Sequence, residues 1–378
     1  MMKRTEGRRQ KAEGRRLPAG SCCRLLSAFC LLPSLFFCLM PSSFSAEIVA
    51  EDEAAILKKL ESHEPRDKAI EKAVAFLFAQ QRQDGSFSDK YPTAMTGLAV
   101  MAVMAAGQTP DDATHGPAIR RALNFVLSQM SEDGYLGRID NSRMYGHGIC
   151  TLMLTEAAGM TRDEVLERRL IEACKRGVKV ILNAQAIQKG GGNQGGWRYE
   201  PTSADSDLSL TGWQTMALRS AKNIGIVVPN TAIQAATAYI RENAAPDGGF
   251  AYQGKADHPV LRGIGLLALP VCGVYDAPEL AKSTAKMLAD PPKWQGPWFY
   301  YRVYYSAVGM YQMGDEAWNK FFPFIDEALL PHQNPDGSWP EPPGNNELSN
   351  YAPTPVYSTS MALLALAVHS HLLPIYQR

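Results

Sequence analysis

Two aspartates stand two residues apart in the stretch DSDLSLTGWQ (205–214), which follows the glycine-rich loop GGGNQGGW (190–197). Two close carboxylates can share a proton, so Asp205 and Asp207 could supply the raised pKa that a general acid needs. Asp207 also precedes an apolar helical pattern, where aspartate is a typical N-cap and the helix dipole favours the ionised form. The residues alone therefore leave both roles open, an acid or a cap.

Other polar residues with possible chemistry follow the remaining loops of the chain. They are His147, His258, Arg262, Tyr300, Tyr301, Arg302, Tyr304, Tyr305 and Tyr357. The two arginines would hold the anionic end of a ligand, His258 would join the aspartates as a catalytic group, and the tyrosines would line the wall of a cavity. His147 and Cys150 share one helical face, and a buried pair is the simpler interpretation of that spacing.

The elements that must position these residues come as repeats. A glycine marks each of six similar loops: Gly85, Gly134, Gly196, Gly248, Gly296 and Gly337. These markers recur at intervals of roughly 50 residues, a period typical of stacked or closed arrays. An amphipathic helical pattern precedes each loop, and a more apolar pattern rich in glycine, alanine and serine follows it. The repeats predict an outer layer of helices and an inner layer that is buried on most sides.

Six such helix pairs predict an all-α fold, a closed double ring of six hairpins. An open stack would need polar capping repeats at its ends, and neither end of this chain looks polar enough. An open solenoid is the alternative architecture. In a closed ring the inner helices all begin at one mouth, so we expect the candidate residues that follow the loops to surround that mouth.

Within the loops, a glutamine, three residues, a glycine, one residue and an aromatic recur after an aromatic-aliphatic pair. Gln81 to Phe87 and Gln333 to Trp339 match this pattern fully. The pattern resembles the QW-type repeat of the prenyltransferase and squalene-cyclase (squalene-oxidase) superfamily, over roughly residues 67–371. The resemblance implies an (α/α)6 toroid with a central cavity, and it says little about the substrate.

Squalene-type cyclases are one activity that this resemblance implies. They start their reaction with the motif DxDD, whose central acid protonates an alkene. Asp205 and Asp207 match the first and central acids, and Leu208 replaces the last. Those cyclases look like two joined α-domains, whereas this chain supplies one toroid. A wall containing arginines would also oppose a carbocation and suit an anionic group.

Protein prenyltransferase catalytic subunits are single toroids, and they are similar to this chain around the same stretch. The family places an Asp-x-Cys pair of zinc ligands there and a histidine on a later inner helix. Asp205 matches the aspartate and His258 the histidine, while Asp207 stands where the thiolate belongs. Two carboxylates and a histidine suit Zn²⁺ or a harder ion such as Mg²⁺. A divalent metal site is therefore one further expectation.

The first 45 residues differ from the rest of the chain. A basic stretch precedes the apolar run LLSAFCLLPSLFFCLM (25–40), and small residues follow it, as in an export signal or an N-terminal membrane anchor. We expect residues 46–66 to form a linker or first helix and residues 67–378 the toroid. Without residues 1–45 the chain has 30 basic and 36 acidic residues, a net charge of −6. This acidic balance argues against a nucleic-acid partner.

The sequence thus favours an exported toroid that is terpenoid-cyclase-like or prenyltransferase-like. It would bind an elongated, isoprenoid ligand in a central cavity, with Asp205 and Asp207 as acid or metal-holding groups. Leu208 in place of an acid and Asp207 in place of a cysteine favour a second hypothesis, a non-catalytic binding or scaffold module. A third is a glycan-processing α/α toroid enzyme, since such enzymes use paired carboxylates.

Overall fold

The computed structural model describes residues 65–352, 354–370 and 372–377. These residues form α-helices joined by loops and short helical turns, and they contain no β-strand. The α-helices are α1 (65–79), α2 (Pro92–Ala105), α3 (Gly116–Ser128), α4 (Arg143–Gly159), α5 (Glu164–Ala186), α6 (Leu208–Asn223), α7 (Asn230–Glu242), α8 (Arg262–Val271), α9 (Pro278–Ala289), α10 (Phe299–Gln312), α11 (Asp315–Leu329) and α12 (Pro355–Ala367).

The predicted signal or anchor, residues 1–45, lies outside the described residues, as does the predicted linker up to residue 64. Export therefore stays a prediction from the sequence. Among the residues that the structure describes, no helix is long and apolar enough to cross a membrane.

The even-numbered helices form a closed inner ring. Each contacts the next in chain order, and α12 contacts α2, so the last repeat packs against the first. These helices are buried almost all round because their residues are small or apolar, as in α2. The outer helices are amphipathic; α3, for example, buries Ile119, Ala122, Leu123 and Val126 on one face. The predicted double ring is confirmed, and the open solenoid is wrong.

The glutamine of the repeat motif joins neighbouring hairpins. Gln333 donates from Nε2 to the carbonyl of Gly337 in its own loop (3.0 Å) and to that of Ala69 in α1 (2.8 Å). Gln81 makes the same two bonds in the first loop, where the second acceptor is Ala118 of α3 (2.8 Å). The glutamine thus satisfies backbone acceptors of two repeats at once, and Gln333 closes the ring.

The third loop corrects one of the predicted markers. Gly195, with φ +94°, occupies the left-handed position there, and Gly196 does not. Gln185 donates to the carbonyls of Gly195 (2.8 Å) and of Ala232 in α7 (2.9 Å), so the bridge survives an insertion between glutamine and glycine. The repeat motif places one residue between the glycine and the aromatic, and Gly195 and Trp197 keep that spacing. This spacing therefore identifies the loop glycine correctly, whereas Gly196 directly precedes Trp197.

Five loop glycines, Gly85, Gly134, Gly195, Gly248 and Gly337, should resist substitution because their loops press on the next outer helix, whereas Gly296 has no heavy atom within 4 Å of an added Cβ. At Gly337 (φ +93°) an added Cβ would lie 2.2 Å from the carbonyl oxygen of Lys72. Gly225 (φ +83°) has no heavy atom within 4 Å of that position and is a matched control. We expect Gly225→Ala to cost about 1 kcal/mol of unfolding free energy and Gly337→Ala about 3 kcal/mol or more, measured by urea denaturation. Equal losses would contradict this packing role.

The middle of the ring is filled by side chains from opposite sides. Trp213 of α6 stacks on Tyr304 of α10 with ring centroids 5.6 Å apart, and Tyr305 meets the same indole edge-on. All three side chains are buried. Since α8 lies between α6 and α10 in the ring, these contacts cross the interior. The space where the resemblance implied a central cavity is occupied here by the packed rings of Trp213, Tyr304 and Tyr305.

A C-terminal segment crosses the far end of the ring. This segment, Pro374–Tyr376, contacts α4 and α6. The Tyr376 hydroxyl bonds to that of Tyr304, and the Ile375 amide donates to a carboxylate oxygen of Glu156 at 3.1 Å. The segment therefore joins α4 to α10, helices on opposite sides of the ring, where the inner helices end.

Candidate functional site

Asp207 ends the loop before α6 and caps that helix. Its Oδ1 accepts from the amide of Leu210 (2.9 Å) and from the hydroxyl of Ser209 (2.5 Å). Its Oδ2 accepts from the hydroxyl of Tyr252 (3.2 Å) and faces the guanidinium of Arg198 (3.3 Å). The carboxylate is fully buried. The cap that the sequence left open is present in the structure.

Arg198 links the two predicted aspartates. Its Nε lies 3.4 Å from Oδ2 of Asp205, and its Nη1 faces Asp207. The Asp205 side chain is 50% exposed, whereas that of Asp207 is inaccessible, so only the first can be reached directly from solvent. The Lys189 ammonium, 3.2 Å from the Ser206 hydroxyl, adds a second positive charge near Asp205.

Three half-buried tyrosines surround this ion group at the mouth. The Tyr145 hydroxyl lies 2.6 Å from the Ser209 hydroxyl, and those of Tyr199 and Tyr252 lie 2.9 Å apart. The Arg198 guanidinium stands over the rings of Tyr199 and Tyr252, at 4.7 and 5.4 Å from their centroids. We call Arg198, Asp205, Asp207 and these tyrosines the mouth cluster.

The sequence did not single out four members of the mouth cluster, Tyr145, Arg198, Tyr199 and Tyr252, although two of them carry a signal. Tyr199 and Tyr252 occupy the same place in two loops, GGWRY and GGFAY, two residues after the repeat aromatic. Arg198 lies between the aromatic and the tyrosine of the first loop. Tyr145 lies in the first turn of α4, beside His147, which was named instead.

Burial raises the pKa of the Asp207 carboxyl, while hydrogen bonds from Ser209 and Leu210 and the charge of Arg198 oppose that rise. Burial also raises the pKa of the Tyr252 phenol, which therefore stays protonated and donates to Asp207. The sequence set proton sharing between two carboxylates, which would raise a pKa, against the helix dipole, which favours the ionised form. In the structure the pKa of Asp207 is raised, and burial is the main cause of the rise.

A second buried carboxylate, Glu347, caps α10 from another part of the chain. It accepts from the amides of Tyr300 (2.8 Å) and Tyr301 (3.0 Å) and from the hydroxyl of Tyr357 (2.8 Å). Burial raises its pKa. Glu347 begins a π-helical turn in the proline-rich loop before α12 and fixes that loop onto the ring. No motif in the sequence singled it out.

The predicted tyrosines of α10 do not form an open wall. Tyr300, Tyr304 and Tyr305 are inaccessible, and the hydroxyl of Tyr301 reaches across the ring to the carbonyl of Ser209 at 3.4 Å. Tyr300 donates to the carbonyl of Pro340. Only Tyr301 touches the first turn of α6; the other three belong to the packed interior.

The two predicted histidines lie apart from the mouth cluster's hydrogen bonds. His147 is buried, with Nε2 3.0 Å from the Gly177 carbonyl and Nδ1 accepting from the Leu136 amide, and burial lowers its pKa to about 4. It therefore holds α4 to its neighbours as a neutral ring. His258 precedes α8 with an exposed side chain, and partial burial lowers its pKa.

The expected divalent metal site does not assemble. Among the described residues, no three histidine, cysteine, aspartate or glutamate side chains are grouped so that they could hold a metal ion. The oxygens of Asp207 already receive two hydroxyls, an amide and a guanidinium, which leaves little coordinating capacity beside Asp205 and His258.

The predicted anion-holding role of two arginines also needs correction. Arg262 forks onto Asp257 (2.7 and 3.1 Å) and donates to Asp290 (2.9 Å). Arg302 pairs with Asp290 at 3.0 Å, and Lys286 with Asp257 at 3.2 Å. The acidic partners come from the loop before α8 and the end of α9, and they neutralise charges that the sequence reading left free for a ligand.

No protein-family model matches the chain, and no curated protein matches it. Solved structures do. The α-1,6-mannanase GH76A from Salegentibacter sp. HEL1_6 is 11% identical, with a TM-score of 0.60 over 81% of this chain and 99% of that one. The type II terpene cyclase MstE from Scytonema is 16% identical, with a TM-score of 0.53 over 82% and 99%. A glycosidase variant is 13% identical, with a TM-score of 0.54 over 82% and 98%.

These likenesses span nearly the whole of each neighbour, and at such identities they establish the fold alone. They include terpene cyclase and glycosidase toroids side by side. The chain has the α/α toroid fold that these structures share, as its repeats predicted.

Proposed function

We propose that the chain is a binding module for a neutral, hydroxyl-rich ligand of the glycan type, which it holds at the mouth cluster. Asp207 would organise the site without reacting, and Asp205, Arg198 and the tyrosine hydroxyls would meet the ligand. The observation that carries this is the arrangement of solvent-facing polar groups over a packed interior. Tyr145, Tyr199 and Tyr252 contribute aromatic rings as well as hydroxyl groups there.

Two features argue against an isoprenoid ligand. The aromatic rings of Trp213, Tyr304 and Tyr305 fill the space along the axis where a long apolar chain would lie. A diphosphate head group would also meet arginines that are already paired with carboxylates, at Arg198 and at the starts of α8 and α10. A neutral polyol avoids both conflicts, because it needs paired donors and acceptors and no net charge.

A glycan is further supported by the neighbours, one of which is an inactive α-1,6-mannanase variant in complex with α-1,6-mannotetraose. The N-terminal segment fits an exported protein, which would meet glycans outside the cell.

A second candidate function rests on Asp207 itself. Its buried carboxyl has a raised pKa and matches the central acid of the cyclase motif, as a proton donor to an alkene requires. The type II terpene cyclase fold is consistent with this reading. The stability of Asp207 variants distinguishes the glycan-binding function from the cyclase function.

The test of the main proposal is binding to glycans. The mature protein would be screened on an array of bacterial, algal and fungal polysaccharides and titrated calorimetrically with α-1,6-mannotetraose and with geranylgeraniol. We expect Arg198→Ala to weaken glycan binding tenfold or more, because it removes a charge-assisted hydrogen-bond donor. Arg241→Ala, which breaks an exposed pair with Glu279 on the outer ring, is the control and should leave affinity unchanged.

Two outcomes would overturn this proposal. Geranylgeraniol binding with no glycan on the array bound would return the isoprenoid hypothesis to first place. Glycan binding that survives Arg198→Ala and Tyr252→Phe without change would place the site elsewhere on the chain.

A further inference from the structure

A polar cleft opens between the second and third hairpins. It has a volume of about 530 Å³, within the range of small-ligand sites. The loop before α4, the last two turns of α5 and the short segment 200–202 enclose it. Its polar lining residues include Tyr135, Arg138, Asn141, Arg143, Asn183 and Glu200. We call this the lateral cleft.

The lateral cleft is electrically balanced. Arg138 pairs with Asp133 at 2.6 Å, and Arg143 with Glu200 at 3.1 Å. All four side chains are about half exposed, so each ion pair presents donors and acceptors to solvent. Because the charges cancel pairwise, the cleft offers many hydrogen-bonding groups and no net charge, which suits a neutral polyol better than an anion.

The floor of the lateral cleft has an unmet hydrogen-bonding group. Tyr135 is only 4% exposed, and among the described residues no hydrogen-bond partner lies near its hydroxyl. Leaving a buried hydroxyl unpaired costs free energy. The Arg138 guanidinium stands over the ring, 5.4 Å from its centroid, and its side chain is 58% exposed. A ligand that displaced this guanidinium would bring its own hydroxyl to the phenol.

The lateral cleft and the mouth cluster share two stretches of chain. Tyr199 belongs to the mouth cluster, and the next residue, Glu200, lines the cleft. Likewise Arg143 lines the cleft, while Tyr145 faces the mouth. The Met144 amide donates to the Tyr199 carbonyl at 3.0 Å, so the two stretches are fixed to one another. The two sites therefore adjoin one another and are held in a fixed relation.

We propose that the lateral cleft is a second subsite for the same hydroxyl-rich chain that the mouth cluster binds, so that the protein holds an oligosaccharide over several units. This inference rests on the proposed function at the mouth. The half-buried Ile187 would pack against a sugar ring, and the Tyr135 phenol, Asn141 and Asn183 would bond its hydroxyls.

The test compares α-1,6-mannobiose with α-1,6-mannotetraose by calorimetry. We expect the tetraose to bind the unaltered protein at least tenfold more tightly than the biose. Asn183→Ala should lower the affinity for the tetraose at least fivefold and leave the affinity for the biose unchanged. Asn124→Ala is the control, because Asn124 is an exposed outer-ring amide that bonds Arg169.

Hydrogen exchange with saturating tetraose locates the two sites separately. Protection of the amides in 137–143 as well as around Asp207 would support both proposals. Protection around Asp207 alone, or equal affinity for biose and tetraose, would overturn the second subsite and keep the mouth. Protection of 137–143 alone would keep the cleft and overturn the mouth. Protection in neither segment would overturn both.

Discussion

Replacement of Asp207 by alanine is expected to lower the free energy of unfolding by about 2–4 kcal/mol. The loss of the cap on the Leu210 amide contributes about 1 kcal/mol of this. The remainder comes from Arg198, whose side chain is only 19% exposed. It would lose its buried partner and keep only the half-exposed Asp205, at 3.4 Å. Two hydroxyls, from Ser209 and Tyr252, would also lose their acceptor.

Two further variants serve as comparisons for Asp207→Ala in urea or guanidinium unfolding curves. Asp205→Ala should cost less than about 1 kcal/mol, because Asp205 is half exposed and its ion pair is screened by water. Asp207→Asn should fall between the two alanine variants, since asparagine still accepts from the helix amide but leaves Arg198 without a buried anion. If Asp205→Ala and Asp207→Ala cost the same, the assignment of Asp207 as the structural cap is wrong.

The same variants separate the two candidate functions. A cyclase acid would make Asp207→Asn inactive towards an isoprenoid such as squalene, with an unfolding free energy close to that of the unaltered protein. Under the proposed function, Asp207→Asn loses stability and weakens glycan binding together, because the carboxylate holds Arg198 and Tyr252 in place. The loss of activity or binding, compared with the loss of unfolding free energy, therefore distinguishes the two functions.

The ring could be predicted from the sequence because its repeats are enforced by local geometry. A glycine such as Gly337 must adopt a positive φ and meet the next helix, and Gln333 must reach two carbonyls. Such constraints leave the same residues at the same spacing in loop after loop. The closure itself was an inference from polarity at the chain ends, and contacts between α12 and α2 confirm it.

The site was less predictable because its polar partners are distant in the sequence. Asp207 could be named from its own helix, yet its environment depends on Tyr252 in the following loop. Arg262 looked free although Asp257, onto which it forks, lies only five residues before it; its second partner, Asp290, lies 28 residues away. Glu347 caps α10 from 46–47 residues away, in a loop with no periodic pattern. A residue type predicts which hydrogen bonds and ion pairs a side chain can form, and the fold determines which partner forms them.

Replacement of Glu156 by glutamine is expected to stabilise the protein at pH 8 by on the order of 3 kcal/mol. Glu156 is 1% exposed near the end of α4, and burial raises its pKa from 4.5 to about 7. Glutamine fits the same contacts without a charge, since it can accept from the Ile375 amide and donate to the Ser220 hydroxyl. It therefore removes the cost of burying an anion and keeps the shape.

The sign of the pH dependence follows from proton binding. The folded protein keeps the Glu156 proton more tightly than the unfolded chain, so this group lowers stability as pH rises from about 4.5 to about 7, and the penalty is constant above that range. Unfolding curves at pH 5, 6, 7 and 8 should show this decline in the unaltered protein and a flatter profile in Glu156→Gln. Glu172→Gln, at an exposed outer-ring position, should keep the original profile.

Parallel profiles for Glu156→Gln and the unaltered protein would mean that other groups carry the pH dependence. A chain that ends after residue 372 gives an independent check, because it removes the Ile375 amide and the segment that covers Glu156. In that chain the carboxylate should regain water, the pH-dependent decline should shrink, and the overall stability should fall with the loss of the Tyr304–Tyr376 contact. Burial by the C-terminal segment, and not the position of Glu156 in α4, is then the cause of the raised pKa.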